Sequence, residues 1–413
     1  MHPFDTNPLQ QPAGSKPIPD RITLPVTESR PTNFETGQVL TVVSGHFVHD
    51  TYTAFIATLL PKIIEKLSLS LTQAGSLTAI LQIGALLNPF IGYMADKFSL
   101  RYFVIFAPAI TATLICSISF ANSYYSLAIL FLVTGISVAA FHAPAPAMIA
   151  GVSHRKVGLG MSLFMAGGEL GRTIGPLLVV WAVTTWTLDG FYRVVVLGWA
   201  ASAVLFFRLR GTTARPARAG NMRLMLPYIK SLFLPLLFIL LFRDFMLISL
   251  SVYLPTFMSQ NGSSLWVAGA SLSILEVAGV AGALLSGTIS DTLGRRSVLF
   301  ITTVASSITM LFFLRITGWL MVPALLILGF TALSTMPVLL ALVQEHFPNN
   351  RSVANGMFML INFLMQMLAT LSIGSFGDRF GLNPAFFWSA IASLLALPPI
   401  LFLPKRLNPS QAG

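Results

Sequence analysis

The chain has 413 residues, of which 55% are hydrophobic and 9% charged, and its mean hydropathy is +0.78. Soluble domains carry about 25% charged residues, so the composition excludes a soluble enzyme or a nucleic-acid-binding module and points to an integral membrane protein. The formal net charge is +11, and the single cysteine, Cys116, lies inside an apolar run with no thiol to pair with and no sign of a zinc or redox site.

Residues 1–33 hold Pro3, Pro8, Pro12, Pro17, Pro19, Pro25 and Pro31 among polar side chains, a composition expected to stay disordered. They lack a basic start followed by an apolar core and a small-residue cleavage site, so they do not read as a secretory signal. Apolar runs of spanning length follow at 37–62, 71–94, 102–120, 124–148, 158–183, 191–207, 231–258, 265–289, 298–316, 319–342, 353–376 and 384–403. The expected fold is therefore an all-α membrane protein with twelve transmembrane helices. A linker at 208–230 with Arg208, Arg210, Arg215, Arg218, Arg223 and Lys230 divides a six-helix bundle at 34–207 from a second at 231–403, and a short tail occupies 404–413.

Placement of Lys and Arg orients the chain. With both termini cytoplasmic, 18 of the 25 cations fall inside, five (Lys62, Lys66, Arg193, Arg315 and Arg379) fall outside, and Arg172 and Arg243 are buried. The basicity is thus topological. It implies no nucleic acid, and it allows contact with anionic lipid. The two halves repeat: Asp50 and Pro61 are echoed by Asp244 and Pro255, Gly75 by Gly269, and Gln82 by Glu276, each at an offset of 194. A parallel repeat of this kind places a transport pathway between the halves at the bilayer midplane.

An ionisable residue inside a bilayer costs on the order of 2.5 to 3.5 kcal/mol even on the lenient insertion scale and so needs a reason. In the first span His46, His49 and Asp50 share one helical face. An imidazole titrates near physiological pH and a carboxylate in a low dielectric prefers to be neutral unless paired, so the group is a candidate proton-coupling site. The alternative is a structural cluster in which the histidines satisfy neighbouring helices and Asp50 pairs with an arginine. His142, ahead of Pro144 and Pro146, ends the fourth span and is a candidate donor to freed carbonyls. Glu169 and Arg172 share a face of the fifth span, whereas Arg243 and Asp244 point about 100° apart on the seventh. Each pair is either a neutralised bridge or a source of a guanidinium for an anionic substrate, with Arg243 the favoured cation. Glu276 is the second candidate for the coupled proton, and Gln82 and Tyr253 are expected to face the pathway.

Gly287, Asp291, Gly294, Arg295 and Arg296 join two spans, and Gly92, Asp96, Lys97 and Arg101 form a looser copy with Ser99 at the turn. At this spacing the pattern resembles the signature loop of the major facilitator superfamily, between spans two and three and again between eight and nine. A Gly at the end of a helix admits a close neighbour, Gly294 permits a tight turn, and Asp96 and Asp291 are expected to clasp the first turns of the eleventh and fifth spans. Gly171, Gly175 and Pro176 resemble the antiporter motif of the superfamily. Phe131 stands where its fourth-span arginine is expected.

His46-Phe47 with Asp50, Phe141-His142 with the following proline, Gly167-Gly168 with Gly171 and Gly175-Pro176, and Gln344-Glu345 with Pro348 and Gly356 resemble the fosmidomycin resistance branch. His49, Glu169 and Arg172 depart from it. The resemblance implies a proton-driven exporter of a small polar or anionic compound. The chain is expected to be a monomer in a prokaryotic plasma membrane, with no cofactor or metal. The alternatives are an importer of an organic anion and a non-transporting sensor. No Gly-Lys-Ser/Thr phosphate loop or nucleophile constellation is present, so neither an enzyme nor an ATP-driven pump is expected.

Overall fold

Segments in a bilayer fold as helices because every backbone N–H and C=O must be satisfied within its own segment. The computed structural model describes residues 34–87, 90–91, 101–211, 229–347 and 351–403, which are helical throughout apart from short breaks. The expected tails at 1–33 and 404–413, nearly all of the linker, and Gly92, Asp96 and Lys97 of the first signature loop lie outside the described residues.

Twelve spans form two six-helix halves. The first is α1 (Thr36–Thr53) with α2 (Phe55–Leu67), the second begins with α3 (Leu71–Ala85), and the third is α4 (Arg101–Cys116). The fourth is α5 (Tyr124–His142) with α6 (Ala145–Ser153), the fifth α7 (Val157–Gly190), and the sixth α8 (Val195–Leu209). In the second half come α9 (Leu234–Ile248) with α10 (Leu254–Gln260), α11 (Leu265–Leu293) and α12 (Arg295–Phe313). After these follow α13 (Met321–Leu333) with α14 (Thr335–His346), α15 (Arg351–Phe380), and α16 (Leu382–Leu394) with α17 (Leu397–Phe402). Among the described residues nine stretches are long and apolar enough to cross a membrane. One of them, Leu159–Leu209, holds two spans, and the charged first span and the partly described second complete the set.

Most breaks have a local cause. Pro255 lacks the N–H that would close the preceding turn, and Ser249–Tyr253 widens there into a π turn. Pro144 separates α5 from α6. Within α7, Thr187 at φ 62° interrupts the helix, and the segment runs past the expected end at 183.

The internal repeat is visible as a repeated contact. A Cβ on Gly135 would overlap the carbonyl of Leu81, and a Cβ on Gly329 would overlap that of Leu275. Both partners are displaced by the same 194 positions, so the second and fourth spans touch as the eighth and tenth do. The bare side of α7 serves a different purpose: Gly167, Gly171 and Gly175 lie against the backbone of Val43, Phe47 and Thr51, seating α7 on α1 within one half.

We call the end of the bundle that holds Arg101, Arg208, Arg210, Arg295 and Arg296 the basic end. Between the halves, α3 packs on α15 and α11 on α7, with a polar seam at the opposite end. There Tyr253 Oη lies 3.0 Å from the Thr370 carbonyl and 3.3 Å from that of Leu71. Asp378 accepts the backbone N–H of Leu71 at 2.6 Å and of Thr72 at 2.8 Å, and the Thr72 hydroxyl at 2.5 Å.

Candidate functional site

The first span delivers His46, His49 and Asp50 to the interior of the N-terminal half, and the fourth delivers His142 to the same point. His49 Nδ1 lies 3.0 Å from Asp50 Oδ1, His46 Nε2 is 3.3 Å from Oδ2, and His142 Nε2 is 3.3 Å from Oδ1. All three imidazoles therefore converge on one carboxylate. Each ring has its own anchor. His46 Nδ1 donates to the Phe164 carbonyl at 2.8 Å, a group that can only accept, and its ring stacks on Phe164 at 3.9 Å between centroids. His49 stacks on Phe141 at 4.5 Å, and its Nε2 is 3.2 Å from Thr111 Oγ1, which in turn meets Ser137 Oγ at 2.8 Å. Asp50, His46 and His49 are buried, whereas the His142 side chain keeps 34% of its surface. Gly168 makes room for the cluster, since a Cβ there would collide with the His46 ring.

A second charge group sits where the halves meet. Arg172 of α7 pairs with Glu169 one turn away, and its Nε is 3.7 Å from Glu276 Oε2 on α11. The Arg172 side chain is 40% exposed, while Glu276 is buried. Two acids from different halves thus share one guanidinium. Gln82, at the position matching Glu276 in the repeat, keeps a buried Oε1 with no hydrogen-bond partner among the described residues.

Arg243 is held elsewhere. It donates to Ser306 Oγ at 3.0 Å, to the carbonyls of Ala332 at 3.0 Å and Thr331 at 3.4 Å, and to Thr335 Oγ1, and it is 4% exposed. Its fork ties the seventh, ninth and tenth spans of one half together, so in this arrangement the guanidinium expected to receive a substrate is engaged within that half. Asp244 beside it is buried, with Oδ2 unpartnered among the described residues. Tyr253 lies in the seam between halves described above.

In the second signature loop Gly294 takes φ 88°, the left-handed turn that favours glycine. Arg295 binds Asp291 Oδ1 at 2.5 Å, Glu345 Oε1 at 2.7 Å, the Gly287 carbonyl at 3.1 Å and Ser290 Oγ, which fastens the loop to the end of the tenth span. Arg296 is next to it in the first turn of α12. Among the described residues nothing lies within 4 Å of where a Gly287 Cβ would stand. Arg101 opens α4 with its guanidinium 5.0 Å from the Tyr102 ring centroid.

Thr111, Ser137, Phe164, Glu345 and Asp378 escaped the sequence reading. Glu345 was visible only as part of a Gln-Glu pair, and the others carry no signal without knowledge of which spans adjoin.

Comparison with known proteins places this geometry. A family model described as Major Facilitator Superfamily matches residues 42–370. The chain is 26% identical over 375 residues to the fosmidomycin resistance protein of Escherichia coli (strain K12), covering 88% of this chain and 91% of that one. It is 25% identical over 231 residues to the agnestins efflux protein AgnL12 of Paecilomyces divaricatus, covering 52% and 51%. In structure it is similar to a D-xylose-proton symporter, with a TM-score of 0.76 at 17% identity over 91% of this chain and 99% of the other.

Proposed function

The chain belongs to the major facilitator superfamily, and from that premise we propose that it is a secondary active transporter that exports a small polar organic compound in exchange for protons. The observation that carries the reading is the triad of Glu169, Arg172 and Glu276, shared between the halves midway along α7 and α11. Two carboxylates against one guanidinium leave one negative charge uncompensated, and an unbalanced buried charge opposes the rocking of the halves. A proton on Glu276 neutralises the triad, and so does a positively charged group of a substrate set beside the Glu169 and Glu276 carboxylates. The two compete for the same charge, and such exclusion is what exchange of substrate for proton requires.

Asp50 has all its partners in the N-terminal half, so it is less directly tied to relative movement than Glu276. Export as the direction is supported by the two relatives whose names denote resistance and efflux. Both termini and the basic end face the cytoplasm of a prokaryotic cell in this reading, because Lys and Arg collect on that side. The seam of Tyr253, Thr370, Leu71 and Asp378 then closes the outer face. A test is growth in fosmidomycin and other small polar antibiotics. Cells expressing the chain should tolerate more of at least one compound, and a protonophore should abolish the difference. Accumulation of the compound inside expressing cells would contradict the reading.

A further inference from the structure

We propose that His46, Asp50 and His142 form a binding site for a divalent transition-metal ion, with zinc as its type. The donor atoms are His46 Nε2, a carboxylate oxygen of Asp50 and His142 Nε2, and all lie within 4.8 Å of one another. Two ligands bound at about 2.1 Å to one tetrahedral zinc lie about 3.4 Å apart. His46 Nε2 stands 3.3 Å from Asp50 Oδ2 and His142 Nε2 3.3 Å from Oδ1, so each imidazole is near that spacing from its own carboxylate oxygen, and both oxygens are available to an ion between the rings.

The tautomer of His46 is the independent sign that a cation belongs there. Its Nδ1 faces the Phe164 carbonyl at 2.8 Å, so the hydrogen is on Nδ1. In the neutral ring Nε2 then presents a bare lone pair to Asp50 Oδ2. Two acceptors face each other inside a buried site, and Nε2 has no hydrogen-bond partner among the described residues. A positive charge between them turns that repulsion into attraction.

The surroundings are those of a metal centre. Metal-bound imidazoles commonly donate their other N–H to a carbonyl, which fixes ring orientation and raises basicity, as Phe164 does for His46. His49 supports the carboxylate in the same manner: an ionised Asp50 can only accept, so His49 Nδ1–H holds Oδ1 at 3.0 Å, and in the neutral ring Nε2 is left to accept from Thr111 at 3.2 Å. Stacking on Phe164 and Phe141 fixes both rings. His142, at the end of α5 and partly exposed, leaves one side of the site open for entry and for a further ligand. Two nitrogens and one carboxylate suit zinc, cobalt, nickel or iron(II) rather than magnesium or calcium, which prefer oxygen alone.

The inference does not depend on the direction or coupling of transport. Its test is cobalt(II) titration of the full chain, purified in detergent without a histidine tag and followed by visible d–d absorption, with zinc as competitor. One cobalt per chain, displaced by one zinc, is expected. Asp50→Asn and His142→Ala should each weaken binding at least about tenfold, while His154→Gln, whose ring pairs with Glu35 at 2.8 Å away from the site, should bind as the parent does. His142→Cys should retain binding and add a sulfur-to-cobalt charge-transfer band, which a misfolded variant would not show. Absence of the d–d bands at millimolar cobalt, or equal binding in the parent, His46→Ala and His142→Ala, would overturn the proposal. Flux in liposomes is a separate readout, so failure of metal binding leaves the transport reading standing, and the reverse also holds.

Discussion

Asp378, near the end of the eleventh span, caps the first turn of the second span by accepting the backbone N–H of Thr72 at 2.8 Å and of Leu71 at 2.6 Å. A carboxylate at a helix N-terminus satisfies orphan donors and complements the helix dipole. Here the cap comes from the other half of the molecule, so it also joins the halves. Asp378→Ala should weaken this closure by about 1 kcal/mol, the usual worth of a cap. The check is thiol labelling from the side of Leu71, using a single cysteine placed at Ser70 in a Cys116→Ser background. Faster labelling than in the parent is expected, and an unchanged rate would show that the seam holds without the cap.

The contacts of Gly135 with Leu81 and of Gly329 with Leu275 leave no room for a side chain. Gly135→Val and Gly329→Val should each destabilise by about 1 to 3 kcal/mol, as overpacking does. Gly287→Ala, with no described atom within 4 Å of its Cβ, should be near neutral. Melting temperatures of the purified variants in detergent distinguish the two classes, and a Gly287→Ala protein as unstable as Gly135→Val would contradict this account of the packing.

Arg243→Lys should lower the melting temperature more than a surface exchange does, because one ammonium cannot reach Ser306, the Ala332 carbonyl and Thr335 together. Substrate affinity in the protein that remains folded should be unchanged, since the guanidinium is engaged within one half. A loss of affinity without a loss of stability would instead put Arg243 in the passage.

The twelve spans and the repeat were legible because they rest on properties carried locally along the chain: apolar length, and paired residues at a constant offset. His46 and Asp50 were legible as neighbours because four residues make a helical turn. His142 was recognisable as unusual, but not as the third imidazole at Asp50, because which face of the fourth span meets the first is decided by the Gly135 contact and by Phe141 packing on His49. Asp378 and Thr72 are distant in sequence and both polar at span ends, where polar residues are expected for no special reason. Arg243 was legible as a buried guanidinium, but its partners were not, because Ser306, Thr331, Ala332 and Thr335 lie on spans that the sequence does not show to be adjacent. The clasp expected of Asp96 lies outside the described residues, and so do the side chains at the start of the fifth span that Asp291 is expected to meet; Asp291 also binds Arg295.

Glu276→Gln should uncouple the transporter. The amide keeps the shape of the side chain and leaves the Glu169–Arg172 pair balanced, so the halves can reorient without a proton. Counterflow of labelled against unlabelled substrate should persist while accumulation driven by a pH gradient is lost.

The most direct test of the central claim is proton movement in proteoliposomes that enclose a pH-sensitive dye, with small polar compounds added to one side. The account predicts that a transported compound drives protons in the opposite direction through the parent protein, and that Glu276→Gln abolishes the proton signal while labelled compound still exchanges. Proton movement in the same direction as the compound, or an undiminished signal in Glu276→Gln, would contradict it.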